Sequence, residues 1–582
     1  MSAELKRARH RQMFIFLLVC GGMLLMLARL YYWQILQSQD GYRLAQRAND
    51  EHIQNQKLNA PRGLIYDVNG QILATNVVRD DVYIMPIQFS SDHPDAEKAQ
   101  GELRSLVHKL HQVLPDVSEE SLLKSFALDR SVVRIAGPIE PAQSQQLRAL
   151  HLPDVFLEPR TLRIYPAGDL AAQILGFVRP DGAGVYGLEE RYNTQLAGKA
   201  GSFSAETDLN GNPLTVGASS WQPPVNGANL TLTINSTIQY LVQNALNETV
   251  QQQQAQSGTV VVVNVRSGAI VAMAGSPTFD PNNYGRYAGD KGCLNTLEVY
   301  FNPALYCTYE PGSTLKAVTM AAALDQGLIT PDTTINDPGY ITFKDAVTVT
   351  NWNHKAYGPE TMTQVLEHSA NVGAAYVAHN LLGPDRYYPY LERFGFGQLT
   401  HIGGQEAAGG YRSPGNSGWT PSDLTRQAFG QAIQATPLQV AMAYQAIANG
   451  GVMMRPYLVS AIDDNGRVSS IQPQVLRRVI SDQAARQLAS MLKSASSATP
   501  LAQVPSYTVA VRTGTATTQG ISDDQTEASV AGFLPVTNPQ FVILVKIDRP
   551  QKNIYGSTAA APLWRTIAQQ LMWHYHIPPD RS

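Results

Sequence analysis

The chain of 582 residues is poor in charge: Lys, Arg, Asp and Glu together make up 16%, against roughly 25% in an average soluble domain. With 44% hydrophobic residues, that balance excludes a disordered chain, which is more charged and less apolar. The formal net charge is −3, so the basic excess of a nucleic-acid binder is missing. Three cysteines are too few for a disulfide-dense secreted module. Long apolar runs are scarce: one lies near the N-terminus, and a mean hydropathy of −0.17 excludes a polytopic membrane protein. There is no internal repeat. What remains is a chain of about two to four domains.

The charge that is present is unevenly placed. Residues 1–12 carry Lys6, Arg7, Arg9 and Arg11 against Glu4, four minus one, so the tail is +3 and the rest −6. Met13 to Ala28 is uncharged, followed by Arg29 and Leu30-Tyr31-Tyr32-Trp33-Gln34-Ile35-Leu36. The uncharged part falls short of the ~20 residues of a span. Arg29 can snorkel to the interface, and the aromatic cluster suits the headgroup belt. The stretch is long for a signal peptide and lacks a small-x-small cleavage site. Residues 13–36 therefore read as a single-pass anchor in the cytoplasmic membrane. The basic flank places residues 1–12 in the cytoplasm and the rest outside it. Cys20 lies inside the anchor, where a thiol is a small hydrophobe. Cys293 and Cys307 lie in a compartment that permits disulfides. A bridge there, worth about 3 kcal/mol in the chain-entropy model, and two free thiols are both open.

Residues 37–60 are polar and helix-friendly, a stalk leaving the membrane. Asn69-Gly70 between two β-rich runs signals a hairpin, and residues 92–150 read mainly as helices. The stretch 201–228, rich in Gly, Ser, Asn and Pro, with Asn210-Gly211-Asn212-Pro213, marks a boundary. The chain thus divides into a tail (1–12), an anchor (13–36), a mixed β/helical pedestal (37–220) and an α+β domain (221–578). In the last part, Leu230 to Ile234 reads as a strand, and Asn235 or Ser236 caps a helix through Ile238, Leu241, Val242, Ala245 and Leu246. Thr259–Val265 and Ala269–Met273 form a hairpin of buried strands. Strand signals return at Tyr507–Val511, Ala528–Phe533 and Phe541–Ile547, before a helix with Leu563, Ile567 and Leu571. Strands, a helical middle, then strands and a helix suggest an antiparallel sheet flanked by helices.

Chemistry concentrates at three places. In Glu310-Pro311-Gly312-Ser313-Thr314-Leu315-Lys316, Pro and Gly break the chain just before Ser313, so Ser313 sits near a helix start and Lys316 lies one turn on, on the same side. A serine hydroxyl needs a neighbouring base, and a lysine serves only if burial or other cations lower its pKa. Ser-x-x-Lys alone is weak. His368-Ser369-Ala370-Asn371 adds a second hydroxyl and an amide. Val511-Arg512-Thr513-Gly514-Thr515-Ala516 continues an alternating strand whose cation and hydroxyls suit a substrate carboxylate. Its backbone N–H groups, with that of Ser313, suit an oxyanion hole. His354, His368 and His379 lack metal-ligand spacing and read as structural. Asp523-Asp524 reads as a solvated turn.

The order Ser-x-x-Lys, Ser-x-Asn, Lys-Thr-Gly belongs to penicillin-binding proteins and serine β-lactamases. Together with Arg62-Gly63, Asp67, Gly70, Arg163-Ile164-Tyr165-Pro166, Gly187-Leu188-Glu189, Phe279-Asp280-Pro281-Asn282, Phe394-Gly395-Phe396-Gly397 and Thr436-Pro437-Leu438-Gln439, it makes nearly the whole chain resemble the class B (monofunctional) penicillin-binding proteins. The resemblance implies a peptidoglycan D,D-transpeptidase that β-lactams inhibit. Ser313 would form an acyl-enzyme with a D-Ala-D-Ala stem peptide, with Lys316 as general base. Ser369 and Asn371 would relay protons and hold the substrate amide. Arg512, Thr513, Gly514 and Thr515 would line the site. No metal or cofactor is implied; the implied partner is a polytopic glycan-polymerising membrane protein. A D,D-carboxypeptidase or β-lactamase-type hydrolase and a non-catalytic sensor or scaffold are the alternatives. The chain departs from the family pattern at Arg512, where Lys is usual: a guanidinium keeps the charge but does not transfer protons at neutral pH. Cys293 to Tyr300 reads as an insertion placing a lid beside the nucleophile, and Ala432, where glycine is common, as a minor change.

Overall fold

The computed structural model describes residues 3–32, 53–86, 96–206, 219–293, 297–517 and 525–581. They fall into two compact units, Met1–Pro61 with Gly198–Asn226, and Arg62–Ala197 with Gly227–Ser582. Trp33 to Leu36, residues 37–52, Asn210 to Pro213 and Asp523-Asp524 lie outside the described residues.

In the smaller unit the helix Ala3–Tyr31 includes a stretch, Arg9–Tyr31, long and apolar enough to cross a membrane. The stalk expected to be helical up to residue 60 is a strand where it is described. Ile53–Leu58 pairs antiparallel with Gly201–Glu206, which pairs in turn with Ser219–Gln222. The cause is non-local. A polar segment with weak intrinsic preference takes the conformation its pairing partner offers. Opposite residues Phe203 and Trp221 bring their rings edge-on at 6.1 Å, a cross-strand contact of the kind that stabilises a pair.

In the larger unit, residues 62–197 build a twisted sheet around the long strand Ile72–Ile84, which pairs with Val133–Ile139 and Val155–Ile164. The reading of 92–150 as mainly helical holds for Ala96–Val113, Glu119–Phe126 and Pro141–Leu150. Val133–Ile139 is the exception: Val133, Ile135 and Ile139 pack with Val82 and Ile84 under those helices, and burial selects the strand. Asn69-Gly70 does turn the chain. Asp67 Oδ1 accepts from the Asn69 and Gln71 amides at 2.8 Å, and Oδ2 from Ser236 Oγ at 2.6 Å. Burial would raise the Asp67 carboxyl, but these bonds outweigh it and hold it below the ordinary range. Glu189, Arg62 and Arg163 form a buried ion cluster.

The second part of this unit runs as α1 (Ser236–Gln252), β1 (Ser257–Asn264), β2 (Ile270–Ser276), α2 (Lys316–Asp325), α3 (Met362–His368), α4 (Asn371–Tyr376), α5 (Pro421–Gln427), α6 (Pro437–Ala448), β3 (Ala510–Thr517), β4 (Thr526–Leu534), β5 (Phe541–Asp548) and α7 (Ala561–His574). The Asn235 side chain caps α1, accepting from the Ile238 amide at 3.2 Å. The sheet is antiparallel, in order β2-β1-β5-β4-β3. Both faces are covered. Val260, Val262, Ile543 and Val545 pack with Ile238, Leu246, Trp564 and Ile567 of α1 and α7, whereas Val261, Val263, Val542 and Leu544 join the core that holds α2 and α6. Double burial explains the unbroken valine run; each such side chain contributes about 1.5–3 kcal/mol. β3 is an edge strand, so every second backbone amide and carbonyl on it points away from β4.

Candidate active site

Ser313 lies in the single 3₁₀ turn Gly312–Leu315 that leads into α2. The turn presents Ser313 half-buried at the cleft, while Thr314, Leu315 and Lys316 are buried. Two glycines allow it. The carbonyl of Gly430, at φ +83°, accepts from the Gly312 amide at 3.0 Å, and a Cβ on Gly430 would lie 2.1 Å from the Gly312 oxygen. Gly514 lets β3 lie against the turn: a Cβ there would lie 2.5 Å from both the Pro311 oxygen and Ser529 Oγ.

Lys316 is fully buried. Its Nζ donates to the Ser369 carbonyl at 2.6 Å, to Asn371 Oδ1 at 2.7 Å and to Ser369 Oγ at 3.2 Å. Ser369 Oγ in turn donates to Ser313 Oγ at 3.0 Å. Desolvation, and next the Arg512 guanidinium, push the Lys316 ammonium well below its ordinary pKa; Glu360 opposes them. Ser369 closes α3 in the left-handed conformation, φ +58°, rare for a serine and typical of a residue held for function. Asn371 opens α4 and ties its amide to the Thr350 carbonyl at 3.0 Å. Behind it, buried Asn351 joins Asp337 Oδ2 at 2.7 Å and the Val372 amide at 3.2 Å.

The structure thus brings Ser313, Lys316, Ser369 and Asn371 into one hydrogen-bonded chain. Thr515 lines the same cleft with Ser313 and Asn371, and its Oγ1 accepts from the Gly556 amide at 3.1 Å. Thr513 is half-buried and Gly514 buried. Arg512 departs from the expected carboxylate-binding position. It is 4% exposed, with Nη1 on the Leu366 carbonyl at 2.5 Å and Nε near the Ser313 carbonyl at 3.4 Å. A guanidinium on an inward-facing strand position finds backbone oxygens before it finds the cleft. Desolvation lowers its pKa to about 10.

The Cys293–Tyr300 stretch, expected as a lid beside the nucleophile, packs elsewhere where it is described. Tyr300 joins Phe177, Tyr186 and Phe279 with ring centroids 5.0–5.3 Å apart, and Cys293 Sγ is bonded to Cys307 Sγ. Aromatic burial accounts for the place of Tyr300, which is not among the residues lining the cleft. Ala432 is more than a minor change: it sits at φ +55°, which L-residues adopt at a cost, and its amide donates to Glu310 Oε1 at 2.9 Å. His368 pairs with Glu360 at 2.9 Å and His379 with Asp345 at 3.0 Å. His354 instead lines the cleft. Sequence reasoning missed Trp352, Arg426, Phe429 and Gln431, which also line it. A tryptophan in the polar run Asn351-Trp352-Asn353 was a readable signal; Arg426 carried none.

The family model of the penicillin-binding protein transpeptidase domain matches residues 258–571, and that of the penicillin-binding protein dimerisation domain residues 57–232. The chain is 33% identical to penicillin-binding protein PbpB of Mycolicibacterium smegmatis, over 84% of this chain and 77% of that one. It is 28% identical to peptidoglycan D,D-transpeptidase FtsI of Escherichia coli, over 99% and 95%. The crystal structure of penicillin-binding protein 3 from Mycobacterium tuberculosis with aztreonam superposes with a TM-score of 0.67 at 27% identity, over 90% of this chain and 98% of that one. A serine, a buried lysine and a Ser-x-Asn loop at hydrogen-bonding distance, on a fold matched along both its domains, place this chain among the class B penicillin-binding proteins, with their dimerisation and transpeptidase domains.

Proposed function

We propose that this chain cross-links peptidoglycan by serine D,D-transpeptidation, with Ser313 as nucleophile. The observation that carries the assignment is the path from Ser313 Oγ through Ser369 Oγ to Lys316 Nζ, 3.0 and 3.2 Å. Hydroxyl hydrogens rotate freely, so a neutral Lys316 amine can draw the Ser313 proton through Ser369. Ser313 Oγ then attacks the carbonyl between the two terminal D-alanines of a stem peptide. The Ser313 and Thr515 amides stabilise the oxyanion. The C–N bond breaks, D-alanine leaves with the proton, and an ester remains on Ser313. The amine of a second stem peptide attacks that ester, gives up a proton, and releases the cross-link as Ser313 regains its own. A β-lactam ring opens on Ser313 by the same first steps and blocks it.

In this proposal residues 13–36 anchor the chain in the cytoplasmic membrane, with the +3 tail inside, as the basic flank favours. Residues 37–220 raise the transpeptidase domain, 221–578, toward the wall, and a polytopic glycan polymerase is the membrane partner. The Cys293–Cys307 bond suits the oxidising side. Fluorescent penicillin labelling tests the assignment: wild-type protein labels and Ser313→Ala does not. Equal labelling of the two would overturn it.

A further inference from the structure

The cleft beside Ser313 needs a cation if it is to receive a carboxylate, and Arg512 does not supply one there. Its guanidinium is buried against the Leu366 and Ser313 carbonyls. Among the described residues lining the cleft, Arg426 is the one Lys or Arg. Arg426 lies in the last turn of α5, is exposed, and forms no ion pair among the described residues. It also lines the adjoining groove with Glu310, Arg412 and Asp423, so a peptide leaving the nucleophile along that groove passes its guanidinium. A planar, permanently charged fork of donors matches a carboxylate bidentately. The geometry points to Arg426 as the specificity-determining residue that holds a carboxylate of the stem peptide in the Ser313 cleft. The inference rests on the reading of Ser313 as the nucleophile.

Two carboxylates of a stem peptide present this chemistry: the C-terminal one of D-Ala-D-Ala, and one on the side chain of the third residue. Arg426→Gln and Arg426→Glu are assayed on donor peptides bearing either a carboxylate or an amide at the third residue, alongside penicillin acylation, in full-length protein. Unchanged thermal melting confirms the fold, and Arg426→Lys tests partial rescue. A charged hydrogen bond lost predicts a fall in kcat/KM of about 10–100-fold. If the fall occurs only with the carboxylate-bearing donor and spares penicillin, the side-chain carboxylate is the ligand. If it occurs with both donors and with penicillin, the terminal carboxylate is. Unchanged kcat/KM for every substrate overturns the proposal and leaves Ser313 catalysis standing. A wild-type protein that penicillin does not acylate overturns the Ser313 reading itself, and this inference with it.

Discussion

Two clusters of buried cations sit in the larger unit and are solved in opposite ways. At the first, Glu189 is fully buried and takes Arg62 on one oxygen at 2.6 Å and Arg163 on the other at 2.8 Å. Arg62 Nη1 reaches the Asn193 side chain and Arg163 Nη1 the Gly63 carbonyl and the Asn76 side chain, while Arg163 Nη2 has no partner among the described residues. At the second, Lys316 and Arg512 lean on backbone and side-chain oxygens that carry no charge. The acid acting on Lys316, Glu360, is itself raised to about 7, first by its own desolvation. A carboxylate matched to its cations makes a clamp. Two cations without one make an amine that sheds its proton. The same desolvation, compensated in one place and not in the other, separates a structural cluster from a reactive one.

The contrast breaks most visibly at the reactive cluster. Lys316→Met removes the base, and penicillin acylation is expected to slow about 10²–10⁴-fold, measured by stopped-flow or gel labelling. Glu189→Ala strands two buried arginines and is expected to cost about 3–5 kcal/mol in urea unfolding. Protein that remains folded should acylate at the wild-type rate, because Glu189 touches nothing in the cleft. Arg512→Met takes a like charge from beside Lys316, so the amine holds its proton to higher pH. The acid limb of the acylation–pH profile should move upward, while Arg512→Lys moves it less. The smallest effect belongs to Ala432→Gly. Relief of a left-handed alanine, about 1–2 kcal/mol, less the backbone entropy of glycine, about 0.5–1 kcal/mol, leaves a gain of about 0.5–1 kcal/mol in thermal unfolding.

What was legible in the sequence was local or strongly periodic. The valine run of β1, the Asn235 cap, the hairpin at Asn69-Gly70 and the helix start at Ser313 each follow from adjacent residues. The motif residues Arg62, Asp67, Arg163 and Glu189 were readable as family marks, but their reason, two buried ion and hydrogen-bond clusters, is long-range. The strand at Ile53–Leu58 was hidden because its partner lies some 150 positions away at Gly201–Glu206. Alternation along β3 says that Arg512 faces one side of the sheet, not that the side is closed. Arg426, a single cation on a short helix, leaves no spacing to read. Backbone sign, as at Ala432 and Ser369, is a property of the folded path and leaves no mark in composition.

The fit of β3 between its neighbours has an evolutionary consequence. A side chain at Gly514 would strike Pro311 and Ser529, and one at Gly556 would strike the Gly514 and Ser529 oxygens at 2.4 Å. That wall of the cleft has no room for inherited variation. Exposed Trp352, on the rim of the cleft, meets no such packing limit and is free to vary. Lineages under antibiotic selection would therefore diverge along the rim and keep the strand.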